Sequence, residues 1–154
     1  TLYVGTFKGE MLAIDSATGA VLWRFQAASW IFSSPVLNGE NILFGDMKGN
    51  LYMLSASTGS KVWEVAVGDA AAKNAIVSTP LIQDQTIYVS TETNTIYTYS
   101  LEGVPGWTKT LTNKVYAPIL PSGSNLLVAV NDINAPLQAI SLVGADVWTF
   151  SLKK

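Results

Sequence analysis

Four times along this chain a short polar turn leads through a glycine to a tryptophan. The phrase is fullest in Asp15-Ser16-Ala17-Thr18-Gly19 before Trp23 and in Ser55-Ala56-Ser57-Thr58-Gly59 before Trp63. It is shorter in Ser100-Leu101-Glu102-Gly103 before Trp107 and in Ser141-Leu142-Val143-Gly144 before Trp148. In every copy the glycine stands four positions ahead of the tryptophan, and the tryptophans recur at intervals of 40, 44 and 41 residues. A fixed period of this length belongs to architectures built by stacking one supersecondary unit.

The second unit shows what is repeated. Apolar, β-branched and aromatic runs at 31–37, 41–45, 50–54 and 61–67 are separated by Asn38-Gly39, by Asp46-Met47-Lys48-Gly49 and by the Ser-Ala-Ser-Thr-Gly phrase. Each separator is turn chemistry: Asn-Gly tolerates positive φ at a tight hairpin, and Asp or Ser accepts a backbone N–H two or three residues on. Gly19 and Gly59 suit the left-handed conformation that a Cβ resists. Four short strands in about 40 residues make one blade of an antiparallel propeller. The tryptophan falls at a constant place on the outer strand. Its flat ring and single N–H predict that it docks on the neighbouring blade.

Tyr3-Val4-Gly5-Thr6, Leu12-Ala13-Ile14-Asp15, Ala17-Thr18-Gly19 and Trp23-Arg24-Phe25 resemble the repeat of the pyrroloquinoline-quinone-like (PQQ-like) β-propellers. That family includes quinoprotein alcohol dehydrogenases and cofactor-free BamB-like outer-membrane assembly lipoproteins. Ser33-Ser34-Pro35 and Ser78-Thr79-Pro80 resemble its inner-strand phrase. The resemblance spans essentially the whole chain, although the last two units keep only the Gly and Trp of the turn phrase. It implies an all-β propeller of four-stranded blades, with about four present: 1–25 lacking an inner strand, then 26–67, 76–111 and 115–152. Family rings usually close with eight blades. We therefore expect a piece of a longer chain, a half-ring that pairs with a second copy, or four blades closing alone. The first expectation fits the missing inner strand best.

Composition narrows the function classes. The chain has 154 residues, enough for one domain with a substantial core. Hydrophobic residues make up 49% and charged residues only 13%, as expected where each sheet is covered on both faces. A net charge of −2 with no basic run gives no nucleic-acid footprint. No apolar run approaches the ~18 residues of a membrane-spanning helix. Cysteine and histidine are both absent, which removes disulfides, thiolate nucleophiles, His/Cys zinc sites and Ser-His-Asp triads. No leader is present in this stretch, and any leader is expected upstream. The setting implied by the resemblance is periplasmic or extracellular.

Function on a rigid scaffold usually sits on its loops. The connections from outer strand to next inner strand, and from second to third strand, are predicted to open on one face. Trp30 is the fifth tryptophan and the one outside the repeat; with Phe32 it is the candidate partner anchor. Asp46, Lys48, Glu92 and Asp132 occupy turns on the same face and complete the candidate partner-binding set. The Asn131-Asp132-Asn134 cluster reads as a turn, because one carboxylate is too few for a calcium loop. No residue matches a quinone or calcium site, and no paired carboxylates suggest a glycosidase. No catalytic residue, metal or cofactor is therefore expected. The reading is a non-catalytic scaffold for unidentified protein partners, BamB-like in envelope or membrane protein assembly. The alternatives are a fragment of a PQQ-dependent dehydrogenase and a cell-surface glycan- or polymer-binding propeller.

Overall fold

The computed structural model describes residues 1–69 and 74–152. They form fifteen strands in four antiparallel meander sheets. The first sheet holds β1 (Leu2–Gly5), β2 (Glu10–Ile14) and β3 (Val21–Gln26). The second holds β4 (Val36–Asn38), β5 (Asn41–Gly45), β6 (Asn50–Ser55) and β7 (Lys61–Ala66). The third holds β8 (Leu81–Gln83), β9 (Thr86–Ser90), β10 (Thr95–Ser100) and β11 (Pro105–Thr110). The fourth holds β12 (Leu120–Ser122), β13 (Asn125–Ala129), β14 (Leu137–Ser141) and β15 (Asp146–Phe150). No helix among the described residues is long and apolar enough to cross a membrane.

The core lies between the sheets. Met11, Ile31, Ile42, Phe44, Tyr52 and Leu54 fill the layer between the first and second sheets. There the rings of Phe44 and Tyr52 stack at 5.1 Å, and Phe25 meets them edge-on. A second layer, around Leu43, Leu51, Ile76, Ile87 and Val89, joins the second sheet to the third. A third layer, around Ile96, Val115, Leu126, Val128 and Ile140, joins the third to the fourth. The middle strands of the second sheet are buried on both faces, which is why Ile42-Leu43-Phe44 is continuously apolar rather than alternating.

Each junction is made the same way. The Trp23 indole Nε1–H donates to the Ala56 carbonyl at 3.0 Å, Trp63 to Leu101 at 2.9 Å and Trp107 to Leu142 at 3.2 Å. The acceptor is always the residue after the one that opens the turn, and the ring lies on that turn's glycine. A Cβ on Gly59 would stand 2.6 Å from the Trp23 ring, and one on Gly144 would stand 3.0 Å from the Trp107 ring. In all four outer strands the register slips by one residue beside the tryptophan. Such a bulge re-aims the side chain that follows it, here toward the next sheet. Gly19 has no atom within 4 Å of where its Cβ would be, and Trp148 remains 45% exposed. These two residues lie on the outermost faces of the described sheets.

The inner strands differ from the sequence reading. The run at 31–37 reads as one strand, but β4 has three residues and begins at Val36; β8 and β12 are equally short. Ser33 shows the reason in the second sheet. Its hydroxyl donates to the Gly45 carbonyl and accepts the Gly45 N–H, both at 2.9 Å, so a side chain replaces the ladder partner. Pro35, without an N–H, then leads into β4.

Candidate binding surface

The predicted loop face exists and is sewn together by backbone bonds. Ile31 N–H donates to the Thr6 carbonyl and Ile76 N–H to that of Asp46. In return, Met47 donates to Trp30, Glu92 to Ala75 and Asn131 to Lys114. The second-to-third-strand turn of each sheet is thereby tied to an inter-sheet connection. The predicted connection 68–75 lies partly outside the described residues.

At the first junction this stitching displays aromatics. Ile31 is 3% exposed, and its side chain packs directly over Gly5. Ile31 turns inward, and its neighbours Trp30 and Phe32 turn outward. They are 57% and 50% exposed. Phe7, at the tip of the β1–β2 turn and 67% exposed, meets Phe32 with ring centroids 4.8 Å apart. Lys8 and Lys48, both exposed, occupy this turn and the next one. The result is an apolar patch with cations on neighbouring turns. Phe7 was missed from sequence because a hairpin tip is ordinarily polar; a large aromatic in Thr6-Phe7-Lys8-Gly9 was the available signal.

Asp46 is not part of any exposed surface, which corrects its place among the candidate residues. It is fully buried. One carboxylate oxygen accepts the N–H groups of Lys48 and Asn50 at 2.9 Å each. The other accepts the Asn50 amide at 3.1 Å and the Tyr52 hydroxyl at 2.9 Å. The Tyr52 oxygen in turn accepts the N–H of Ala28. Burial, foremost, and the Asp46 carboxylate push the Tyr52 phenol well above its ordinary pKa. Thr6 takes the Asp46 position in the first sheet and caps its own turn, accepting the N–H groups of Lys8 and Glu10.

The other candidates lie apart from the aromatic patch. Glu92 and Lys114, with Thr93, Asn94, Thr112 and Asn113, line an open depression of about 560 Å³ between the third and fourth sheets. Asp132 accepts the N–H groups of Asn134 and Ala135, closing its own turn, and displays Ile133 at 85% exposure. Tyr116 stands 49% exposed.

Among the described residues no three acidic side chains come together as metal donors. Asp46 is engaged by five internal hydrogen bonds, and Asp132 by its own turn.

Comparison with known proteins agrees with the architecture. BamB from Moraxella catarrhalis superposes with a TM-score of 0.78 at 18% identity, over 97% of this chain and 49% of that one. Quinohemoprotein alcohol dehydrogenase from Comamonas testosteroni superposes with a TM-score of 0.80 at 15% identity, over 97% of this chain and 33% of that one. Tetrathionate hydrolase of Acidithiobacillus ferrooxidans is 29% identical over 63 residues, 41% of this chain and 12% of its own length. The chain thus spans about half of that BamB and smaller shares of the other two. At these identities the superpositions establish a shared fold, a partial β-propeller of about four blades. The family model described as outer membrane protein assembly factor BamB matches residues 8–153, so the chain belongs to this PQQ-like β-propeller family.

Proposed function

We propose that this segment is a non-catalytic scaffold, working outside the cytoplasm, that binds protein partners on its loop face in the manner of an envelope assembly factor. The observation that carries the reading is the exposed Phe7–Phe32 ring pair, with Trp30 exposed two residues before Phe32, on a backbone tied by hydrogen bonds. Exposed aromatics set on a preordered backbone bind with little ordering cost, and Trp and aromatic side chains dominate interface energetics. Lys8 and Lys48 favour a partner segment that is apolar with acidic neighbours. The family match supports an extended outer-membrane polypeptide as that partner.

The test is a fluorescence titration with an outer-membrane β-barrel polypeptide diluted from urea. Saturable binding that is lost in the Trp30→Ala/Phe32→Ala double variant supports the reading; no binding, or binding indifferent to the variant, overturns it. Incubation with PQQ, calcium and an alcohol in a dye-reduction assay tests the non-catalytic part. Turnover above the protein-free rate would refute it.

A further inference from the structure

Asn38-Gly39 is the one place in the chain where glycine follows asparagine. It opens the hairpin between β4 and β5, where Asn38 pairs with Asn41 on the last rung of the ladder. Gly39 is exposed, has φ of 57°, and has no atom within 4 Å of where a Cβ would stand. Among the described residues neither the Gly39 N–H nor the Asn38 side-chain amide has a hydrogen-bond partner. β4 has only three residues to hold this end of the sheet. The last rung of so short a ladder opens locally at low cost.

We propose that Asn38 is a site of spontaneous modification, where deamidation to isoaspartate loosens the docking of Trp23. The Gly39 nitrogen attacks Asn38 Cγ and forms a new N–Cγ bond. The bond from Cγ to the side-chain nitrogen breaks, and that nitrogen leaves as ammonia with the proton that Gly39 gave up. The five-membered imide then takes up solvent water. Opening at the side-chain carbonyl gives aspartate, and opening at the main-chain carbonyl gives isoaspartate. Nothing is oxidised or reduced. Every other asparagine precedes a residue whose side chain crowds the attacking nitrogen.

Isoaspartate inserts one methylene into the main chain before Gly39, so the hairpin can no longer hold Asn38 opposite Asn41. The next residue of that hairpin is Glu40, whose carbonyl accepts the Ala56 N–H at 2.8 Å. The Ala56 carbonyl in turn accepts the Trp23 indole N–H and the Tyr3 hydroxyl, both at 3.0 Å. The hairpin tip, the docking turn and the junction of the first two sheets are thus joined by consecutive hydrogen bonds. Aspartate keeps the main-chain length and leaves that series intact.

Incubating the folded protein at mildly alkaline pH, then mapping peptides with fragmentation that distinguishes isoaspartate from aspartate, tests the inference. Isoaspartate at position 38 should accumulate ahead of modification at any other asparagine. It should form faster as pH rises, because the attacking nitrogen must lose its proton, and Asn38→Ser should abolish it. The deamidated fraction, isolated by ion exchange, should unfold at lower urea than the unmodified protein, whereas Asn38→Asp should keep the unmodified midpoint. Isoaspartate that forms at 38 only in a urea-unfolded control would show that the hairpin protects the site, and would overturn the inference. A deamidated fraction rich in isoaspartate with the midpoint of Asn38→Asp would overturn it as well.

Discussion

Trp23 and Gly59, in adjacent sheets, fit each other as a ring fits a floor. The indole lies where a Cβ on Gly59 would be, and its N–H reaches the carbonyl three residues before that glycine. Polar and apolar surfaces of one side chain are satisfied together, which ordinary hydrophobic contact between sheets does not achieve. Because the turn glycine is at positive φ, the residue that shapes the turn also vacates the docking space.

The two parts of this contact are separable. Trp63→Phe keeps an aromatic ring and removes the bond to Leu101, so it should cost about 1 kcal/mol. Trp63→Ala also leaves a void between the second and third sheets and should cost about 3 kcal/mol. Trp148→Ala removes a ring that is 45% exposed in the 154-residue chain and should change stability by less than about 0.5 kcal/mol. Urea midpoints at constant m-value check all three.

Glycines with the same backbone should respond differently to the same substitution. Gly19 and Gly59 have φ of 74° and 72°. Gly19→Ala meets only the left-handed backbone penalty, about 1 kcal/mol. Gly59→Ala meets that penalty and also the Trp23 ring at 2.6 Å, adding overpacking of about 1–3 kcal/mol. A matched pair of urea melts checks this. Equal losses would show that the turn conformation, rather than the docked ring, is the reason for glycine.

The glycine–tryptophan spacing was legible because both halves of the device lie in one short phrase, with a constant offset in every copy. What stayed hidden depended on partners distant in sequence or on the role of a turn. Asp46 reads as a solvated turn acid until Tyr52, six residues on, is seen to return its hydroxyl to the carboxylate. The late start of β4 rests on Ser33 reaching Gly45, a contact between two runs that each look like a strand. Phe7 and Phe32 lie 25 positions apart and meet because Ile31 is pinned over Gly5. Side-chain capture across strands leaves no periodic trace, so pattern reading recovers the blades before it recovers the surface they present.

The Tyr52 phenol gives stability an alkaline limit. Its folded pKa lies above the ordinary value of 10.0, with burial as the largest cause. The associated stability is therefore fully present below pH 10.0 and is lost as pH rises above it toward the folded value, since the unfolded chain ionises first. Tyr88 and Tyr99 shift the same way, also by burial, and add to the effect. Tyr52→Phe should flatten the alkaline fall in urea midpoint while lowering stability at neutral pH, because Asp46 and Ala28 each lose a hydrogen-bond partner. Near-ultraviolet phenolate absorbance across the same titration identifies the ionising groups. An alkaline limb unchanged in Tyr52→Phe would assign the sensitivity elsewhere.

The aromatic patch should be nearly irrelevant to folding, which separates it from the docking tryptophans. Phe7, Trp30 and Phe32 are half exposed or more, and the backbone of the 30–32 segment is held by the Ile31–Thr6 and Met47–Trp30 hydrogen bonds. Each Ser substitution should therefore shift stability by no more than about 0.5 kcal/mol, apart from the ring contact between Phe7 and Phe32. Hydrophobic-dye binding should behave in the opposite way, because the patch gathers three exposed rings on one face. The Phe7→Ser/Trp30→Ser/Phe32→Ser variant should bind measurably less dye at a nearly unchanged urea midpoint. A large loss of stability would mean that these rings hold the first two sheets together. In that case their exposure would reflect packing at the junction rather than a surface offered to a partner.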